Sequence, residues 1–121
     1  MIKVGIIGSR RRNTEEDLQK VTEAFNNLNS ESKVDLIVSG GATKGGDHFA
    51  EIIACLQNIP IKIYYPDWNK YGRIAGFMRN TDIAKESNIL IACVHKDRLG
   101  GTEDTIKKFK RFHPKEKIII V

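Results

Sequence analysis

The chain has 121 residues, enough for one domain with a single core and too few for two. Hydrophobic residues make up 40% and charged residues 29%, an ordinary globular balance, and no apolar run approaches the roughly 18 residues that a membrane-spanning helix needs. A net charge of +5 admits a polyanionic partner such as nucleic acid without demanding one.

Ile2 to Ile7 is a mostly apolar run, as expected of a strand buried on both faces of a parallel sheet. It starts too early for a signal peptide, which places the chain in the cytoplasm. Gly8-Ser9-Arg10 ends it. Thr14 is a good N-cap, Glu15, Glu16 and Asp17 fill a first turn, and Leu18, Val21, Phe25 and Leu28 recur three or four apart, so a helix follows. Asn29 to Lys33 is a polar loop. A second strand, Val34 to Val38, runs into Ser39-Gly40-Gly41-Ala42-Thr43-Lys44-Gly45-Gly46-Asp47-His48, and a helix leaves over about Asp47 to Gln57. Asn58-Ile59-Pro60 turns into a third strand, Ile61 to Tyr65. A loop, Asn69 to Gly76, precedes a helix over about Phe77 to Glu86. Asn88 to Val94 is a fourth strand and His95 to Gly101 a polar loop. Thr102 caps the last helix, with Ile106 and Phe109 on its apolar side, and Lys117 to Val121 is a fifth strand. Cys55 and Cys93 read as small buried apolar residues. His48, His95 and His113 share no ligand spacing, so no metal is expected.

Strands alternating with helices imply a parallel sheet with right-handed crossovers. The expectation is an α/β, Rossmann-like three-layer sandwich, one domain over residues 1–121, with five parallel strands in the order 3-2-1-4-5 and helices on both faces. Ligands of such sheets bind beyond the carboxyl ends of the strands. The segments leaving strands hold Gly8, Gly40, Gly41, Gly45, Gly46, Gly72, Gly76, Gly100 and Gly101, nine of the ten glycines, together with Arg10, Trp68, Arg73 and Arg79. The turns entering strands hold no glycine.

Glycine lets backbone amides approach a ligand, and a helix N-terminus offers unpaired donors with a partial positive charge. The strand, glycine turn and helix from Val38 to His48 thus make an anion cradle, usually for phosphate. The plainer alternative is a tight turn. Ser9 and the amides after Gly8 are placed to hold one phosphate, Ser39 to Gly46 another, and Gly100-Gly101-Thr102 puts a further helix N-terminus at the same edge. Arg10 and Arg79 suit a bidentate grip on phosphate or carboxylate, and Trp68 or Tyr71 suits stacking on a base. Alternatives stand beside these: Trp68 plugging the core edge, Arg79 pairing with Asp67 or Asp82, Asp47 acting as an N-cap. The excess positive charge lies mostly in Arg10-Arg11-Arg12 and in Lys107, Lys108, Lys110, Arg111, Lys115 and Lys117, the second group reading as a solvated helix end. Gly5-x-x-Gly8 does not fit the dinucleotide fingerprint and no Walker-type loop is present, so no cofactor is expected.

In order, the chain carries Gly8-Ser9-Arg10, Ser39-Gly40-Gly41-Ala42-x-x-Gly45-x-Asp47, Pro66-Asp67-Trp68-x-x-Tyr71-Gly72-x-x-Ala75-Gly76, Arg79-Asn80 and Gly101-Thr102. This series, which spans nearly the whole chain, resembles the YspA-like branch of the SLOG superfamily. The resemblance implies a Rossmann-like domain that senses or processes a nucleotide-derived ligand, with these motif residues at the ligand. It also implies a capacity to form homo-oligomers. Two related groups supply alternatives. DNA-processing proteins of the DprA (Smf) type share a similar series and bind single-stranded DNA. Phosphoribohydrolases of the LOG (lysine-decarboxylase-like) type cleave nucleoside monophosphates with an Arg on the third helix and a Glu after a P-G-G-x-G-T loop. Here Arg79 matches the Arg. Leu99-Gly100-Gly101-Thr102-Glu103-Asp104 departs from that loop, being shorter, without the Pro and with the Glu directly after Thr; the resemblance implies that Arg79 holds phosphate and that Glu103, or else Asp104, stabilises the transition state or activates water. The leading expectation is binding of a nucleotide-derived small molecule. N-glycosidic hydrolysis and single-stranded DNA binding are the alternatives.

Overall fold

A computed structural model describes residues 1–121. Five strands, β1 (Lys3–Gly8), β2 (Leu36–Ser39), β3 (Ile61–Ile63), β4 (Ile89–Cys93) and β5 (Ile118–Ile120), form one all-parallel sheet in the order β3-β2-β1-β4-β5. The helices are α1 (Glu15–Glu31), α2 (Gly46–Gln57), the short α3 (Trp68–Tyr71), α4 (Ala75–Glu86) and α5 (Gly101–Phe112), with a 3-10 turn at Gly72–Ile74.

Strand side chains alternate between faces, and the two faces collect separate cores. Val4 and Ile6 of β1, Ile37 of β2 and Ile91 and Cys93 of β4 pack on Val21, Phe25 and Leu28 of α1 and on Phe49, Ala50 and Ile53 of α2. Ile7, Val38, Leu90 and Ala92 point the other way, onto Ile83 and Ala84 of α4 and Ile106 and Phe109 of α5. The expected Rossmann-like three-layer sandwich and its strand order are therefore present. Gly5 lets β1 and the end of α4 close up, because a Cβ there would stand 2.5 Å from the Ser87 hydroxyl.

Thr14 caps α1 as expected: its hydroxyl accepts from the Asp17 amide at 3.1 Å and the Asp17 carboxylate accepts from the Thr14 amide at 3.3 Å. Arg12 is locked behind this cap. Its guanidinium donates to Asp17 at 2.8 and 3.0 Å and to the carbonyls of Val94 and Val121 at 3.1 and 2.5 Å.

Several boundaries differ from expectation. α1 runs on through Asn29, whose side chain accepts from the Val34 amide at 2.9 Å and so takes that amide away from strand pairing. The segment expected as a loop from Asn69 is mostly helical, because Asp67 accepts from the Lys70 amide at 3.1 Å and caps α3. Thr102 is not an N-cap. Gly100, at φ 98°, holds that position, a conformation costly for a residue with a Cβ. Asp47 is likewise not an N-cap: Gly45 precedes α2 in the capping position and Asp47 sits inside the first turn. Cys93 is buried as expected, but Cys55 is exposed on the outer side of α2.

Candidate functional site

The chain lays down β1, β2 and β3 outward on one side, then crosses to β4 and β5 on the other. Between β1 and β4 the connections diverge, and doubly wound sheets bind ligands in the crevice this leaves. A cleft of about 280 Å³ lies there. Its walls are the turn after β1 (Gly8 to Arg11), Ala42 and Asp47 from the β2–α2 segment, Arg79 and Asn80 from α4, and Leu99 to Thr102 at the start of α5.

The glycine loop between β2 and α2 stands behind this cleft rather than in it. A Cβ at Gly45 would overlap the Ser9 carbonyl, and one at Gly46 would overlap the Ile7–Gly8 peptide. These glycines let the start of α2 lie directly on the end of β1. Gly45 is also tied to the β1–α1 turn, its amide donating to the Asn13 side chain at 2.8 Å. A Cβ at Gly41 would meet the Tyr65 ring at 2.6 Å, and one at Gly40 the Arg79 guanidinium at 2.6 Å. None of these four glycines lines the cleft, and neither does Ser39.

Ser39 acts from below. Its buried hydroxyl donates to the Ile6 carbonyl at 2.7 Å and meets the Asp47 carboxylate at 3.1 Å. Asp47 also accepts from the Ala42 amide at 3.1 Å, which folds the loop back over its helix. Burial pushes the Asp47 carboxyl above its ordinary value, against the Ala42 amide, the Arg79 charge and the Ser39 hydroxyl, which all hold it down.

Arg79 is braced without a carboxylate partner: neither Asp67 nor Asp82 pairs with it. Nη1 donates to the Gly40 carbonyl at 2.6 Å and Nε to the Asn80 side chain at 2.9 Å. Burial lowers its pKa and the nearby Arg10 charge lowers it further, while Asp47 opposes both. Arg10 makes no ion pair or hydrogen bond through its side chain and is exposed at the mouth of the cleft. Asn80, buried, sets the far wall: its amide donates to the Gly101 carbonyl and to Asp104, each at 3.2 Å.

The start of α5 is where backbone is left open. No heavy atom lies within 4 Å of a Cβ position on Gly100, and for Gly101 the nearest is the Asn80 side-chain nitrogen at 3.7 Å. The first intrahelical bond is from the Asp104 amide to the Gly100 carbonyl, so the amides of Gly101, Thr102 and Glu103 have no protein acceptor. Gly101 and Thr102 line the cleft, so the positive end of the α5 dipole, Arg10 and Arg79 share one opening.

Of the residues expected at a ligand, Gly8, Ser9, Arg10, Asp47, Arg79, Asn80, Gly100, Gly101 and Thr102 line this cleft. Trp68, Gly76 and Glu103 line an adjoining hollow. Asp67 only caps α3, and Tyr71 lies under the Lys70 ammonium, 5.1 Å from its ring centre, outside both spaces. Glu103 is gripped by Arg98 at 2.8 Å, and Asp104 by Lys108 at 2.8 Å. The Arg10-Arg11-Arg12 run is split three ways: Arg10 lines the cleft unpaired, Arg11 lines it while paired with Asp97 at 2.5 Å, and Arg12 is half-buried and tied to Asp17. The Arg11–Asp97 and Arg98–Glu103 pairs tie down the β4–α5 loop, and the sequence carried no periodic signal for either. No group of His, Cys, Asp and Glu side chains is placed to hold a metal ion, and no helix is long and apolar enough to cross a membrane. Compared with protein-family models, curated proteins and solved structures, the chain matches none.

Proposed function

We propose that the β1–β4 cleft binds a nucleotide or nucleotide-derived ligand by its phosphate, and that the chain is a sensing or binding domain of the YspA-like SLOG type. The observation that carries this reading is the open start of α5 opposite two arginines. Unpaired amides at a helix N-terminus suit an anion, and Arg10 and Arg79 repel each other until an anion lies between them.

Binding without cleavage is favoured by the state of the acids. Glu103 and Asp104, the carboxylates at the start of α5, are both held by cations, and Asp47 in the cleft wall is tied to the Ser39 hydroxyl and the Ala42 amide, so none of the three stands free as a general base. A small ligand is favoured over single-stranded DNA because two of the three consecutive arginines are engaged by carboxylates, Arg11 by Asp97 and Arg12 by Asp17, so the run does not act as one basic strip.

Thermal unfolding with adenosine and guanosine monophosphates tests the reading, since a ligand at about 100 times its Kd adds roughly 2.7 kcal/mol of stability. At least one nucleotide should raise the midpoint. Arg79→Ala should abolish the rise and Arg111→Ala, on the exposed far end of α5, should keep it. Absence of a rise with every nucleotide, or an equal rise in Arg79→Ala, contradicts the proposal.

A further inference from the structure

The two helical layers of the sandwich differ in charge. α1 and α2 hold seven acids against a single cation, Lys20, a net charge of −6. On the other side of the sheet, the stretch from α3 through α4, together with α5, holds eight cations against four acids, a net charge of +4. Six of those cations, Lys70, Arg73, Lys85, Lys107, Lys110 and Arg111, are exposed and make no ion pair. Asp82 is the one acid on that side that also stays unpaired.

The layers differ in exposed apolar surface in the same sense. α1 and α2 leave one large apolar side chain open, Leu56, whereas the α3–α5 side leaves Trp68, Tyr71, Ile74, Phe77, Met78 and Phe112. Ile74, Phe77 and Met78 stand three and four residues apart, so they share one face at the start of α4. Two lysines join this row to α5. Lys108 Nζ donates to the Phe77 carbonyl at 2.7 Å and lies 5.6 Å from the Phe77 ring centre. Lys85 Nζ lies 5.3 Å from the Phe112 ring centre. Rings and lysine stems therefore meet along the α4–α5 seam. A merely solvated helix face needs the cations but not the apolar side chains among them.

We propose that the α3–α5 face docks on an anionic lipid surface. Three observations favour this occupant. The opposed charges of the two layers orient the whole chain on an extended anionic plane, basic layer toward it and acidic layer away. Exposed Trp, Tyr and Phe beside lysines, whose stems follow apolar surface while their heads reach polar groups, suit the lipid–water boundary. Four of the six unpaired cations are lysine, a residue depleted from protein–protein interface cores. A second copy of the chain fits less well, because its acidic α1–α2 layer offers Leu56 alone to cover six apolar side chains. The proposal does not depend on what the β1–β4 cleft binds.

Sedimentation with phosphatidylcholine vesicles, made with and without phosphatidylserine, tests it. The chain should sediment with the anionic vesicles and stay in solution with the neutral ones, and high salt should release it. Trp68, the only tryptophan, should shift its emission to the blue on the anionic vesicles. Each cation near an anionic leaflet is worth roughly fivefold in partitioning, so Lys110→Ala/Arg111→Ala should weaken binding about 25-fold. Ile74→Ser/Met78→Ser should weaken it at unchanged net charge, with circular dichroism confirming that both variants fold. Lys20→Ala/Lys33→Ala removes as much charge from the α1 side and should leave binding unchanged. No sedimentation with anionic vesicles, equal sedimentation with neutral ones, or an equal loss in Lys20→Ala/Lys33→Ala overturns the proposal. Displacement from the vesicles by a single-stranded oligonucleotide or by polyglutamate at lower charge concentration overturns it too, and assigns the face to nucleic acid or to an acidic protein.

Discussion

Asp47 shows most clearly what one residue does at this site. It is buried beside the cleft, and its carboxylate holds the Ser39 hydroxyl and the Ala42 amide while its charge steadies Arg79. Burial raises its pKa above 3.8, so the folded protein keeps the Asp47 proton to higher pH than the unfolded chain does. Between those two values the folded state binds more protons, and stability falls as pH rises through that window. Asp47→Asn carries no charge and lacks that fall. Denaturant unfolding from about pH 3 to pH 8 should show wild-type stability declining relative to Asp47→Asn with rising pH. A difference that is flat, or that grows with pH, contradicts the buried, charge-strained carboxylate. Arg79 beside it is pre-positioned by the Gly40 carbonyl and Asn80, so little side-chain entropy is left to lose when an anion arrives.

Among the elements, two helix starts that look alike in sequence have different work. Gly45-Gly46 opens α2 against the backbone of β1, and Gly100-Gly101 opens α5 onto free space. Gly46→Ala should therefore cost about 1–3 kcal/mol or more, the usual penalty for overpacking, because backbone has to move. Gly101→Ala should leave the unfolding midpoint nearly unchanged and weaken nucleotide binding, its new methyl group standing in the cleft. Thermal unfolding and calorimetry on both variants check this. A stable Gly46→Ala, or a Gly101→Ala with full affinity, would reverse the assignment.

The same pair marks how far the sequence could be read. Apolar runs placed every strand, because a strand covered on both faces must be apolar throughout, and the alternation with amphipathic helices sufficed for the order 3-2-1-4-5. The edge carrying the cleft was legible from where the glycines fall. Which glycines line the cleft was not, since a glycine needed for backbone packing and one facing open space are the same letter. Asp47 and Thr102 read as caps by residue type, yet Gly45 and Gly100 reach φ values that those residues avoid. The fate of Arg10, Arg11 and Arg12 depended on Asp17 and Asp97, one of them distant in the chain, and no local pattern announces such partners.

For the whole molecule, the surplus of five positive charges is unevenly placed. Glu86 meets Lys3 and Lys62, and Glu103 and Asp104 meet Arg98 and Lys108, while Arg10, Arg73 and Lys107 stay unpaired around the cleft and hollow. On the proposed reading, a compact site of this kind would contact few phosphates. Affinity for a nucleotide should fall with a log–log salt slope of about 1–2, whereas single-stranded DNA lying on many cations would give about 0.7 per phosphate contacted. Calorimetry at several salt concentrations separates the two, and a steep slope together with a preference for oligonucleotides would favour the DNA reading.

The most direct test of the account is to locate the bound phosphate. Amide resonances of the labelled protein, followed while adenosine diphosphate is added, should shift most at Gly101, Thr102 and Glu103, with smaller shifts at Ser9 and Arg10. Shifts confined to Gly40–Gly46 or to the Lys110–Lys117 end, or none anywhere, would contradict an anion site at the start of α5.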